Sequence, residues 1–191
     1  MGIKDGFGLG LLLFLAQAHA QEKPPLPFTE RDSCPFECCA YGDWQAIESV
    51  DAHLVASTES PVTFRVSSGR AIRALTGVTI TTQFGMTKIL KPIKIGYRRG
   101  GKAPELSLLP GDVVYTLHYA GEANDSFWYQ GKIYTDEINM PESSFGAPAN
   151  ESAVQVISRP KYEWWIKIRG AGGSVGWVKG ANSFAGSDSC G

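Results

Sequence analysis

The sequence has almost no net charge: 18 basic and 19 acidic side chains give −1 at pH 7. That balance provides no electrostatic reason to bind nucleic acid or an anionic lipid surface. Beyond residue 20 no apolar run is long enough to span a bilayer. Nor does any stretch there show the 3.6-residue periodicity of an amphipathic helix, which argues against a helical bundle. Histidine is scarce. After residue 20 only His53 and His118 occur, and neither stands in a catalytic or metal-ligating signature. Cys-x-x-Cys is absent, and so is Cys-x-x-Cys-His, which removes the usual marks of a dithiol oxidoreductase and of haem attachment.

What is present begins with the N-terminus. Lys4 and the amino terminus precede an apolar run from Phe7 to Ala16, followed by Ala18-His-Ala20. The run is too short for a membrane span but suits the core of a signal peptide, and the alanines stand where a signal peptidase reads. Residues 1–20 are therefore expected to be cleaved, leaving Gln21 first and the protein periplasmic or secreted. No cysteine lies at the cleavage point, so a lipid anchor is not expected.

The four cysteines, Cys34, Cys38, Cys39 and Cys190, all lie beyond that point. An even count in an exported chain reads as disulfides, and four cysteines allow three pairings. Adjacent Cys38 and Cys39 would need a strained ring to pair with each other. Cys34 is thus expected to bond one of them, and the other to bond Cys190. A four-thiolate zinc site fits poorly, because neighbouring side chains in an extended segment point apart. No metal site and no cofactor are expected.

Residues 21–44 form a leader containing Pro24-Pro-Leu-Pro27, then the dense segment Cys34-Pro-Phe-Glu-Cys38-Cys39. With 22 glycines, 11 prolines and 11% aromatic residues, the rest reads as short strands and turns. Strands are expected at 46–56, 61–66, 71–75, 78–82, 87–95, 112–118, 127–134, 162–168 and 174–179. Residues 98–104 and 141–150 read as loops. The first suggests a boundary between a β domain at 45–105 and a second at 106–191.

The second of these carries a resemblance. Trp164-Trp-Ile-Lys-Ile168, Gly170-Ala-Gly-Gly173 and Val175-Gly-Trp-Val178 resemble the end of a bacterial Src-homology-3-like domain, and Leu109-Pro-Gly-Asp-Val-Val114 is similar to a strand opening within that barrel. The resemblance implies an all-β fold of one or two small antiparallel barrels, with a disulfide-pinned N-terminal arm. The usual Asn-Val-Arg opening is absent, and the stretch between Tyr134 and Tyr162 is longer than the family's loops. The Cys-Pro-Phe-Glu-Cys-Cys segment resembles small exported bacterial proteins, which implies location and architecture but no activity.

Candidate site residues come from the aromatics. Trp128-Tyr129 and Trp164-Trp165 each place neighbours on opposite faces of a strand. Alternation groups Trp164 with Ile166 and Ile168 as core, and Trp165 with Lys167 on the other face. An outward Trp beside a Lys stacks on a sugar or peptide. Trp165, Lys167, Trp128 and Tyr129 are thus the expected ligand contacts. The carboxylates are scattered and no catalytic set is expected. The function expected is non-enzymatic: an exported binding module for cell-wall peptide, glycan or an envelope protein. The alternative is an extracytoplasmic thiol-redox or metal-handling protein built on the four cysteines.

Overall fold

The computed structural model describes residues 22–96, 105–138, 153–180 and 182–188. The expected signal peptide at 1–20, the expected loops at 98–104 and 141–150, and Cys190 lie outside the described residues. Among the described residues every regular element is a strand and every pairing is antiparallel. In chain order the strands are β1 (Phe28–Arg31), β2 (Asp43–Ala46), β3 (Val50–His53), β4 (Val62–Val66) and β5 (Ala71–Gln83). Then follow β6 (Gly85–Ile89), β7 (Ile93–Gly96), β8 (Glu105–Leu108), β9 (Val113–Gly121) and β10 (Asn124–Tyr129). Last come β11 (Lys132–Asp136), β12 (Val154–Ser158), β13 (Lys161–Arg169), β14 (Val175–Lys179) and β15 (Phe184–Ala185).

Eight strands form one curled, half-barrel sheet in the order β15-β2-β5-β13-β14-β3-β4, with β1 added beside β5. Five form a second sheet, β11-β10-β9-β6-β12, and β7 and β8 pair as a ribbon. Both large sheets draw strands from either side of residue 105. The segments 45–105 and 106–191 therefore interleave. The long-range pair β5–β13 runs from Arg73↔Arg169 to Gln83↔Lys161 and ties the two halves of the chain together.

The sheets meet where β5 ends. Phe84 separates β5 from β6, so the chain turns from the first sheet into the second at Gly85. A Cβ on Gly85 would come within 2.9 Å of both the Pro160 ring and the Ser158 carbonyl, so only glycine fits this corner.

Alternation builds two cores. In the first, Trp164, Ile166 and Ile168 of β13 pack with Trp44, Ala46, Ile72, Ala74, Val178 and Phe184. The second is centred on Ile89, Leu108, Val114, Phe127 and Tyr129. The stretch 127–134 is not one strand but a hairpin, β10–β11, turning at Gln130-Gly131 with positive φ at both. Positive φ at two successive central residues is the signature of a tight hairpin turn. The strand expected at 78–82 continues from 71–75 without a break, because Gly77 stays extended inside β5. Nor is the leader a bare spacer: Pro24 is buried, and β1 pairs Phe28 with Thr81 and Arg31 with Val78.

Candidate functional site

The dense cysteine segment folds as a small arch over the first core. Cys34 and Cys39 are disulfide-bonded across a Cα separation of 5.9 Å. Cys38 is disulfide-bonded as well, and no described cysteine is a free thiol. The arch also meets the C-terminal tail, where Cys39 bridges to Asp188 and the Ala40 N–H donates to the Ser187 carbonyl at 3.0 Å. The two ends of the fold are thus joined by backbone pairing two residues before Cys190.

Beneath the arch lies a chain of aromatic rings. Phe36 stands edge-on to Trp164 at 5.2 Å, Trp44 lies 6.5 Å from Trp164 and 5.7 Å from Phe184, and Tyr41 stacks on Trp44 at 6.3 Å. Their polar atoms are tied down. Trp44 Nε1 donates to the Ala40 carbonyl, while the Tyr41 hydroxyl and Trp164 Nε1 both donate to the Ser33 carbonyl, at 2.8 and 2.9 Å. Burial, with the nearby Asp32 charge adding to it, pushes the Tyr41 phenol up to about 12.

Between the arch and the tail a cleft of about 410 Å³ opens. Phe36, Trp164 and Phe184 line it, and Asn182, Ser187 and Asp188 supply amide, hydroxyl and carboxylate groups. Aromatic faces with a few polar groups around them suit a ligand that has both C–H and hydroxyl or amide surface.

The residues expected to bind ligand stand elsewhere. Trp165 is 1% exposed: its Nε1 donates to Glu163 at 3.2 Å and its ring meets His53 edge-on at 5.9 Å. It does not face solvent, because β13 is an interior strand covered on both sides. Tyr129 is buried in the second core, with its hydroxyl donating to Asp112 at 2.9 Å. Trp128 is half-buried against Phe28, and its Nε1 donates to the Glu22 carbonyl. Lys167 is half-buried, with its ammonium 5.8 Å from the Trp177 ring centroid. None of the four lines the cleft, and each already has a partner inside the protein. Sequence reasoning missed Phe36, Asn182, Phe184 and Asp188. The available signal was the crowding of aromatics and cysteines at 34–44, together with a cysteine at the far end.

A second polar group joins the two sheets. The Glu30 carboxylate on β1 lies 3.0 Å from His118 Nε2 on β9 and accepts the Ser126 hydroxyl of β10 at 2.8 Å. His118 Nδ1 donates to the Tyr119 carbonyl at 2.7 Å, since a carbonyl can only accept. Here the carboxylate, not the imidazole, is the serine's partner. The order therefore differs from a nucleophilic relay, in which the imidazole must take the hydroxyl proton. His118 and Ser126 are buried, and the group acts as a latch between sheets. Among the described residues no set of three His, Cys, Asp or Glu could hold a metal ion.

Comparison of the chain with protein-family models, with curated proteins and with solved structures finds no match.

Proposed function

We propose that this chain is a non-enzymatic, exported binding module whose ligand is a cell-wall glycan or peptide fragment, held in the cleft between the cysteine arch and the C-terminal tail. The observation that carries this reading is the cleft's composition: three aromatic side chains with an amide, a hydroxyl and a carboxylate around them. Sugars present C–H faces to aromatic rings and hydroxyls to such groups. The disulfide and the tail pairing hold both walls in place before ligand arrives, which lowers the entropy lost on binding. The chain's export by residues 1–20, and the Src-homology-3-like resemblance within residues 106–191, belong to the same proposal.

The test is binding to purified cell wall and to its soluble fragments, followed by tryptophan fluorescence. Phe36→Ala and Asn182→Ala should each weaken binding about tenfold while the protein stays folded. Binding to an envelope-protein extract alone would replace the glycan reading with a protein partner. No binding to wall or extract, or variants that bind as the parent does, would end the proposal.

A further inference from the structure

A second pocket, of about 310 Å³, opens where β4 ends, β5 begins and β13 turns into β14. It shares no lining residue with the aromatic cleft. Its lining residues include several hydrogen-bond donors. Arg65, Arg70, Ser67, Ser174 and the Gly170–Gly172 turn line it, and no Asp or Glu does.

Most of these donors are unused. Arg65 shares its charge with Asp51 at 3.1 Å. Arg70 makes no side-chain hydrogen bond or ion pair among the described residues. The same holds for the hydroxyls of Ser67 and Ser174, and the N–H groups of Ala171 and Gly172 donate to nothing there. Phe64 forms one wall and lies so close to Gly170 that a Cβ there would sit 3.0 Å from its ring. Glycine at 170 therefore lets the turn approach the pocket.

The surrounding charge points the same way. Arg73 and Arg169 stand directly opposite each other on β5 and β13, an unfavourable like-charge pair. Asp43 offsets Arg73 at 2.9 Å, but Arg169 has no such partner among the described residues. The chain as a whole is near neutral, so this end of the sheet is positive by arrangement and not by composition.

We infer that this pocket binds a compact oxyanion, a phosphate or carboxylate group carried by a ligand. Arg70 supplies the charge, and Ser67, Ser174 and the glycine turn supply hydrogen bonds. A lining with an unpaired arginine, two serines and no acidic residue complements an acceptor-only group, and guanidinium forks match the geometry of planar or tetrahedral oxyanions.

The experiment titrates the full-length mature protein with inorganic phosphate, and in parallel with acetate, at constant ionic strength set by chloride. Binding is read by calorimetry and by amide chemical shifts of the 170–174 turn. Saturable binding is expected, and Arg70→Ala should weaken it at least tenfold, Arg70→Lys less. Arg70 is exposed, so both variants should fold as the parent does. Phosphate binding without acetate binding assigns a phosphate group, and binding of both assigns an oxyanion in general. The inference is overturned if neither anion saturates, if chloride reproduces the effect, or if Arg70→Ala binds as tightly as the parent.

Discussion

Trp164 Nε1 donates to the carbonyl oxygen of Ser33 at 2.9 Å, across 131 residues of sequence. This bond fastens the cysteine arch to the central strand of the larger sheet. It exists because Gly77 of β5 has no side chain. A Cβ at that position would run into the Tyr41 hydroxyl and Trp164 Nε1, and would lie 2.8 Å from the Ser33 carbonyl. Gly77→Ala should therefore displace all three groups. Overpacking costs about 1–3 kcal/mol, and the loss of one buried and one half-buried hydrogen bond adds about 1 kcal/mol each. Urea denaturation should show a loss of that size. A variant as stable as the parent would mean that the arch is held by other contacts.

Trp165 and Lys167 share a face of β13 but differ in burial. Trp165→Ala should cost about 3–5 kcal/mol, as for a core aromatic. Lys167→Ala should cost under about 1 kcal/mol, since its ammonium only overlies the Trp177 ring. Thermal melts of both variants decide this. Equal, small effects would return Trp165 to the surface.

The Glu30–His118–Ser126 latch predicts a graded response. Glu30→Ala leaves Nε2 and the serine hydroxyl without their carboxylate, for a loss of about 2 kcal/mol. Glu30→Gln keeps an acceptor oxygen and should recover part of it. Denaturant midpoints for the two variants should differ, and identical midpoints would show that the carboxylate is not the joint.

Cys38 is bonded, Cys34 and Cys39 are bonded to each other, and the chain has four cysteines. Peptide mapping without reduction should recover Cys38 joined to Cys190. A bridge closing so long a loop contributes roughly 5 kcal/mol as an upper figure in the chain-entropy model. Cys190→Ser should thus lower the melting temperature clearly. Mapping that finds Cys190 free, or a variant as stable as the parent, would refute the pairing.

Alkali should unfold the protein through two phenols. Burial first pushes both Tyr41 and Tyr129 up to about 12, and for Tyr129 the hydrogen bond to Asp112 adds to it. In the unfolded chain a tyrosine ionises near ~10. A raised folded value means that the stabilisation is fully present below the unfolded pKa and is lost as pH rises through about 12. Urea midpoints should fall over that window, and less steeply in Tyr129→Phe. A flat profile, or one unchanged by the substitution, would contradict the assignment.

The sequence by itself determined the all-β class. Period-2 alternation assigned Trp164, Ile166 and Ile168 to one face, and that face is the first core. Such a pattern is local, because each strand must sort its own side chains between two faces whatever its neighbours are. The crowding of Cys34, Cys38 and Cys39 likewise signalled a disulfide arch before any contact was known. What covers the second face of a strand is not local. Trp165 read as outward because alternation says only that it opposes the core, and alternation left open which of Trp128 and Tyr129 faces in. β13 pairs with β5 and β14 inside the sheet, and His53 of β3, about a hundred positions away in the chain, meets the Trp165 ring on the face that alternation left open. The interleaving of the segments on either side of residue 105 has the same origin. The candidate sites were hidden for this reason too: the cleft joins Phe36 to Phe184 and the oxyanion pocket joins Arg70 to Ser174. No spacing in the chain records such meetings. They follow from the register of long-range pairs, and only the closed sheet fixes that register, because burying one face requires every strand to agree on it at once.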